Sequence, residues 1–409
     1  MLSWINRFSI CCLLDNHQYQ SDYNSYECLV GAGVLTVYKA DAGNAIDGLH
    51  NFQQQHKDWL FGHLSYDLKN ETEGLTSNHA DGIGFDDLLF FVPQYVICLS
   101  GDKVEIGTCN DDHQKVFEEI NGITIDEKNK HQIKQVKNRI SKQEYTQSIN
   151  ALKAHILRGD CYEINYCQEF YAEECVIQPE SVYQSLNKVS PNPFSCYYKV
   201  DDKYLMCASP ERYIKKTWNK ILSQPIKGTS SRNTADKKLD EQNKIQLKQS
   251  EKDKSENVMV VDLVRNDLSK VCKEGTVNVD ELFGVYTYPQ VHQMISTVSG
   301  ELKENISFAE IIRSTFPMGS MTGAPKRKVL QLIEQYEKTK RGLFSGAVGY
   351  VSPDGNFDFN VVIRSILYNA SSKYLSYQTG SGITFYCDAE KEYEECLLKA
   401  KAIEQVLGV

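Results

Sequence analysis

Asp253-Lys254-Ser255-Glu256-Asn257-Val258-Met259-Val260-Val261-Asp262-Leu263-Val264 is the stretch from which the rest of the chain is read. Its apolar residues Met259, Val260, Leu263 and Val264 recur at helical spacing, which predicts a helix with Asp253 and Glu256 at its head. Three residues apart on a helix, those two carboxylates share one face. Glu392 and Glu395 repeat the spacing near the head of a second predicted helix, Asp388 to Leu407. Two such pairs can offer four oxygen ligands to a hard cation; Mg²⁺ prefers a few carboxylates plus waters and substrate oxygens. Acidic residues are also common in first helical turns, where they complement the helix dipole. Spacing alone leaves both readings open.

Ahead of that helix lies a strongly charged segment, residues 233 to 256, expected to be solvated. Strands are predicted around Cys161–Tyr171, Ser195–Val200, Tyr204–Ala208 and Tyr213–Thr217, with a helix over Tyr145–Leu157 ended by Gly159. Residues 343 to 387 read as a meander turning at Pro353-Asp354-Gly355-Asn356. Toward the N-terminus, Leu29–Ala40 and Leu88–Leu99 are β-branched or aromatic runs, and residues 108 to 142 read as a polar connector or surface helix. These breaks suggest a β-rich N-terminal region, 1–125, and a catalytic region, 126–409, packed closely against it.

The bulk numbers narrow the class. At 409 residues the chain suits one large domain or two fused ones. A net charge of −9 argues against a nucleic-acid partner. The 13 cysteines show no Cys-x-x-Cys pair or zinc spacing, which fits reduced thiols in a cytoplasmic setting. The apolar stretch Phe8–Leu14 is too short for a signal peptide, and no run approaches the roughly 20 apolar residues of a membrane helix. No membrane partner is expected.

Two loops look suited to anions. Phe316-Pro317-Met318-Gly319-Ser320-Met321-Thr322-Gly323-Ala324-Pro325-Lys326 leads into a helical pattern, leaving N–H groups and hydroxyls at a helix N-terminus; a plain capped turn is the alternative. Gln378-Thr379-Gly380-Ser381-Gly382 lies between strand-like runs, where glycines let backbone approach a ligand or simply form a turn. Arg364, within Val361-Val362-Ile363-Arg364-Ser365-Ile366-Leu367, alternates with Val362 and Ile366 and needs a carboxylate partner from protein or substrate.

Taken together, these segments resemble the chorismate-utilising enzymes, a family that includes anthranilate synthase component I, aminodeoxychorismate synthase component I and the isochorismate and salicylate synthases. The resemblance rests on Gly159-Asp160-Cys161-Tyr162, Ala208-Ser209-Pro210-Glu211-Arg212, Pro225-Ile226-Lys227-Gly228-Thr229, Glu256-Asn257-Val258-Met259-Val260-Val261-Asp262-Leu263, Asn266-Asp267-Leu268, Gly323-Ala324-Pro325-Lys326 and the Glu392/Glu395 segment. It implies an α/β (α+β) fold, like anthranilate synthase component I, in which large antiparallel sheets pack face to face and are flanked by helices. It further implies Mg²⁺ on Glu256 and Glu395, with Asp253 and Glu392 as outer carboxylates acting through water. Ser320, Tyr350, Arg364, Gly380, Gly382 and Lys399 are implied to hold chorismate. Glu211, Lys227 and His292 match catalytic positions.

Two residues point to a branch. Lys227 in Pro-Ile-Lys-Gly-Thr resembles the aminodeoxychorismate synthases, where anthranilate synthases have Ala. Glu163 stands where isochorismate- and salicylate-forming members carry a water-activating Lys and amine-using members usually carry Gln. The resemblance therefore implies amination of chorismate at C4, on the route to 4-aminobenzoate and folate. Lys227 would act as a nucleophile at C2 and Glu211 as the acid at C4. Burial, Mg²⁺ and Arg are expected to lower the Lys227 pKa toward the neutral amine, and burial to raise that of Glu211. No Gly-x-Cys-x-Gly turn is present, so ammonia is expected from a separate glutamine amidotransferase subunit. Gly62-His63-Leu64-Ser65-Tyr66-Asp67 also resembles the aminodeoxychorismate branch. The family's tryptophan motif Leu-Leu-Glu-Ser is not intact in Tyr26-Glu27-Cys28-Leu29-Val30, which implies at most a remnant of that site. The alternatives are anthranilate synthase component I and a non-catalytic chorismate-binding subunit.

Overall fold

The computed structural model describes residues 1–19, 23, 25–123, 131–289 and 291–409. The expected boundary between residues 125 and 126 lies outside them. Among the described residues the strands form two antiparallel sheets, one of 11 strands and one of 10. In the first, the strands run in the order Gly323–Ala324, Glu163–Ala172, Tyr374–Ile383, Ser365–Asn369, Lys203–Ser209, Phe194–Val200, Ile10–Asp15, Cys28–Ala32, Tyr95–Ser100 and Lys103–Thr108, with Lys137–Asn138 alongside Glu163–Ala172. In the second, the order is Ile226–Ser231, Val291–Glu301, Lys220–Gln224, Arg212–Thr217, Phe357–Asn360, Ala347–Val351, Leu60–Leu64, Leu88–Val92 and Thr36–Ala40, with Asn278–Thr287 on Val291–Glu301.

Strand alternation explains how the layers bind. In the first sheet Cys12, Cys196, Tyr198, Leu205, Cys207 and Leu367 face one buried cluster, which they share with Phe61, Phe91, Val348 and Phe359 of the second sheet. Their neighbours Cys11, Leu13, Tyr197, Met206, Ile366 and Tyr368 face a second cluster. That cluster lies under the helices Lys142–Leu157, Pro179–Val189, Lys326–Tyr336 and Ala389–Leu407. The central strands of the first sheet are thus buried on both faces, which is why Ile10–Asp15 and Lys203–Ser209 lack a clean apolar–polar alternation. Each fully buried large apolar side chain contributes roughly 1.5–3 kcal/mol.

The runs Leu29–Ala40 and Leu88–Leu99 each prove to be two strands, not one. The chain leaves the first sheet after Ala32 and enters the second at Thr36; it leaves the second after Val92 and returns to the first at Tyr95. Gly33, at φ +70°, makes the first turn, and Pro93-Gln94 interrupts the second run. Strands from residues 10–108 therefore continue both sheets of the later chain. His63 ties the layers together, bonding Tyr198 Oη at 3.0 Å and the Asp86 carbonyl at 2.8 Å. Burial lowers its pKa to about 4, so the ring is neutral.

Gly62-His63-Leu64-Ser65-Tyr66-Asp67 also grips the turn at Arg341-Gly342. Ser65 Oγ and the Tyr66 N–H donate to the Gly342 carbonyl, each at 2.8 Å, and the Gly342 N–H donates to Asp67 Oδ2 at 3.0 Å. Arg341, buried against the Tyr66 ring at 4.4 Å, pairs with Glu337 at 2.6 and 3.0 Å. It also donates to the carbonyls of Met321 at 2.7 Å and Asn165 at 2.8 Å. Arg341→Met would leave the Glu337 carboxylate buried without its cation, which costs about 3–5 kcal/mol. Chemical denaturation should show that loss, and the double variant with Glu337→Met should recover much of it.

Candidate active site

The helix predicted from the opening stretch runs Glu251–Val271. Ser250 caps it, accepting from the Asp253 N–H at 3.2 Å. Its buried face is Glu256, Asn257, Val260, Val261, Val264, Asp267, Leu268 and Val271, which is the helical period. Asp267 accepts from Lys326 at 2.6 Å and Lys270 at 2.9 Å. The Asn266-Asp267-Leu268 and Gly323-Ala324-Pro325-Lys326 motifs are thereby joined by a structural ion pair.

Lys326 anchors one end of the Ser320 loop. Just ahead of Lys326 the loop is zipped to the strand Glu163–Ala172: Gly323 and Ala324 pair with Ile164 and Glu163. The Asn165 N–H donates to the Thr322 carbonyl at 2.7 Å and its Nδ2 to the Ser320 carbonyl at 3.0 Å. This sets the Ser320 hydroxyl to hydrogen-bond Glu211. Asn165 has no sequence signature of its own.

Glu211 and Arg364 sit where the chain crosses between sheets. The strand Lys203–Ser209 belongs to the first sheet and Arg212–Thr217 to the second, with Pro210-Glu211 between them. Phe357–Asn360 and Ser365–Asn369 make the reverse crossing through Val361–Arg364. The Val361 N–H donates to the Glu211 carbonyl at 3.0 Å, joining the two crossings. Arg364 is therefore not within a strand, contrary to the alternation read from Val361–Leu367. It stands at a bend with φ +50°, a conformation uncommon for a residue other than glycine. Among the described residues its guanidinium makes no ion pair; burial lowers its pKa, against the pull of Tyr288 and Glu211.

Lys227, on the strand Ile226–Ser231, donates to Glu163 Oε1 at 2.6 Å; the Glu163 side chain is buried and that of Lys227 nearly so. Gly382 makes room for this pair. A Cβ there would lie 2.7 Å from Glu163 Oε1 and 3.0 Å from Lys227 Nζ. The expected lowering of the Lys227 pKa is not what the structure gives. Burial pulls it down, but Glu163, Glu256 and Glu211 outweigh burial and hold it above the ordinary lysine value. The Glu163 carboxylate, which Lys227 hydrogen-bonds, is the largest of these upward pulls and favours the ammonium form.

Glu211 follows the expectation. Burial lifts its pKa to about 7, although Ser320, Lys227, the Ile226 N–H and Arg364 all pull the other way. A carboxyl titrating there is a competent proton donor near neutral pH. If Glu211 donates in the rate-limiting step, activity is lost as pH rises through about 7. Initial rates at fixed free ammonia should show that limb, and Glu211→Gln should remove both the limb and most of the rate.

The four predicted metal-site carboxylates, Asp253, Glu256, Glu392 and Glu395, gather around Lys252. Its ammonium lies 3.9 Å from both Glu256 Oε1 and Glu392 Oε1. Burial lowers the Lys252 pKa, but Glu256, Glu392, Glu395 and Asp253 together raise it. Among the described residues no three Asp, Glu, His or Cys side chains are drawn into coordinating geometry. Yet Glu256 Oε1 is buried without a hydrogen-bond donor, and burial lifts the Glu256 pKa to about 7. An all-oxygen, strongly negative set of this kind fits a hard divalent cation. Lys252 was legible as a four-residue neighbour of Glu256, but its place among the carboxylates was not.

The remaining predicted residues divide. Lys399 bridges Glu395, at 2.8 Å, and the Gly380 carbonyl, at 2.8 Å. Gly380 itself faces the neighbouring strand, a Cβ there meeting Cys167 Sγ and the Tyr166 carbonyl at 2.5 Å. His292 is buried with both ring nitrogens engaged, by Thr287 Oγ1 at 3.0 Å and Asp240 Oδ1 at 3.1 Å, rather than by Glu211 or Lys227. Tyr350 is not in this group. It lines a separate cavity of about 60 Å³ with Asp15, Tyr26, Glu27, Phe194, Arg212 and Asp358.

The family model described as chorismate binding enzyme matches residues 11–405. A probable chloroplastic aminodeoxychorismate synthase from Oryza sativa subsp. japonica is 38% identical over 271 residues, 65% of this chain and 30% of that protein. Aminodeoxychorismate synthase component 1 of Klebsiella aerogenes is 36% identical over 264 residues, 64% of this chain and 58% of that one. The match thus spans less than two thirds of either protein. Anthranilate synthase component 1 of Saccharolobus solfataricus is 32% identical over 362 residues, 86% of this chain and 81% of that one. The crystal structure of anthranilate synthase component I from Streptococcus pneumoniae superposes with a TM-score of 0.81 at 23% identity, covering 94% of each chain. It shows the shared fold. No helix among the described residues is long and apolar enough to cross a membrane.

Proposed function

The chain belongs to the chorismate-binding enzymes, and from that premise we propose that it aminates chorismate at C4 to give 4-amino-4-deoxychorismate. The observation that carries the reading is Lys227, buried beside Glu163, Glu211 and Glu256, where anthranilate synthases have Ala. The Arg364 guanidinium, which makes no ion pair among the described residues, suits the enolpyruvyl carboxylate. Mg²⁺ would be held by Glu256 and Glu395, with Asp253 and Glu392 acting through water, and when bound would neutralise the ring carboxylate.

Lys227 attacks C2, the ring double bonds shift, and the C4–O bond breaks as Glu211 gives its proton to the departing hydroxyl. Ammonia then attacks C4, the double bonds shift back, and the Lys227 amine leaves C2. Glu211 takes the surplus proton of the new C4 ammonium, and the enolpyruvyl group is kept. Ammonia comes from a glutamine amidotransferase partner in a reducing, cytoplasmic setting. His292, held by Asp240 and Thr287, orients the substrate-facing end of its strand. Residues 1–125 act as a scaffold for residues 126–409.

Anthranilate synthesis is the second reading, favoured by the longer match to the Saccharolobus solfataricus protein. Products formed from chorismate, ammonium salts and Mg²⁺ separate the two. Aminodeoxychorismate, converted to 4-aminobenzoate by added lyase, supports amination at C4; fluorescent anthranilate sinks it. Chelation by EDTA should abolish turnover, with recovery on added Mg²⁺.

A further inference from the structure

Lys227 poses a chemical problem. An ammonium ion has no lone pair, and the Lys227 amine is engaged as a hydrogen-bond donor to Glu163 Oε1 at 2.6 Å. We infer that Glu163 is the base that takes a proton from Lys227 before attack on C2 and returns it when the amine leaves. This rests on the reading of Lys227 as the nucleophile.

Geometry selects Glu163. Its Oε1 lies 2.6 Å from Lys227 Nζ, with side chains only 4% and 11% exposed. Glu211 and Glu256 also face Lys227, but neither hydrogen-bonds it among the described residues. Glu211 is needed as the acid at C4, and Glu256 belongs to the cation site. Glu163 is held by its place on the first sheet: its backbone pairs with Ala324, and Gly382 on the neighbouring strand leaves space that a Cβ would take from the carboxylate.

The protons balance. Glu163 carboxylate accepts one proton from the ammonium, giving carboxylic acid and neutral amine. The amine lone pair forms the N–C2 bond, and the nitrogen becomes a secondary ammonium. When ammonia attacks C4, the N–C2 bond breaks and its electron pair returns to the neutral amine. The Glu163 acid then protonates that amine, restoring the starting ion pair. Glu163 thus stores one proton for the lifetime of the adduct. A glutamine at this position can orient Lys227 but cannot accept its proton.

The test mixes full-length protein with chorismate and Mg²⁺, without ammonia, and measures adduct formation by rapid quench and intact-protein mass spectrometry. Wild type, Glu163→Gln, Glu163→Asp and Lys227→Ala are compared, with chorismate affinity measured by calorimetry. Glu163→Gln should bind chorismate within about threefold of wild type yet form the adduct about 10²-fold more slowly. That deficit should narrow as pH rises and solvent takes over deprotonation, with Glu211 and Glu256 the other groups facing Lys227. Glu163→Asp should recover part of the rate. An adduct formed by Glu163→Gln at the wild-type rate and with the wild-type pH profile overturns the role of Glu163. An adduct absent from wild type at every quench time, while product forms once ammonia is added, overturns the Lys227 reading itself.

Discussion

Lys227→Arg is expected to lose amination as completely as Lys227→Ala, by about 10³-fold or more, equivalent to at least roughly 4 kcal/mol of transition-state stabilisation. The comparison separates two roles that one variant cannot. Arginine keeps the positive charge that Glu163, Glu211 and Glu256 face. It can still donate to Glu163 and to a substrate carboxylate, but it does not surrender a proton in proteins and so offers no nucleophilic lone pair. Were Lys227 an electrostatic anchor, arginine would retain much of the rate. Steady-state production of 4-amino-4-deoxychorismate by both variants, at saturating chorismate and ammonia, reads the difference directly. Substantial turnover by Lys227→Arg, with little by Lys227→Ala, would return Lys227 to the role of anchor.

Gly382→Ala should fall nearly as far in activity, by about 10²-fold, while costing little stability. Gly382 lies opposite Asn165 in a regular strand pair and is not among the glycines with positive φ, so the backbone accepts alanine. The atoms nearest the new methyl would be the far ends of Glu163 and Lys227, at 2.7 and 3.0 Å, and these can swing away. Swinging breaks the 2.6 Å pair and displaces the reacting nitrogen. A displacement near 1 Å is enough to cost about 10² in rate. Gly323→Ala provides the contrast: its Cβ would strike the Glu163 carbonyl at 2.1 Å, from φ +141°, so it should damage folding first. Thermal unfolding beside kcat for the two variants distinguishes these outcomes. A Gly382→Ala enzyme with wild-type kcat would show that the Glu163–Lys227 geometry is not needed for the chemistry.

Much of the local structure was legible because its signals are local. The helices bearing Asp253/Glu256 and Glu392/Glu395 follow from apolar spacing and capping residues, and a carboxylate three residues from another shares its face whatever surrounds it. The strands of residues 163–217 and the turn before Phe357 were likewise readable from alternation and punctuation. The Leu29–Ala40 and Leu88–Leu99 runs were not, since an apolar run carries no mark of where a chain passes from one sheet to another. Arg364 was misplaced for the same reason: the bend before Ser365 is set by the crossing, not by the residue pattern. Tyr350 lies beside Tyr26 and Arg212, in the other cavity, because its strand sits in the middle of the second sheet.

Residue identity alone therefore determined that this chain carries helix-borne carboxylates, a lysine in Pro-Ile-Lys-Gly-Thr and a glutamate where a water-activating lysine could stand. Only the tertiary structure decided that the Lys227 pKa is held up rather than lowered and that Glu163 is its partner. The two are 64 positions apart, on strands of different sheets, and meet across Gly382. Charge state follows from the sum of burial and neighbouring charges. That sum exists only once the crossings at Glu211 and Arg364 have brought the two sheets together.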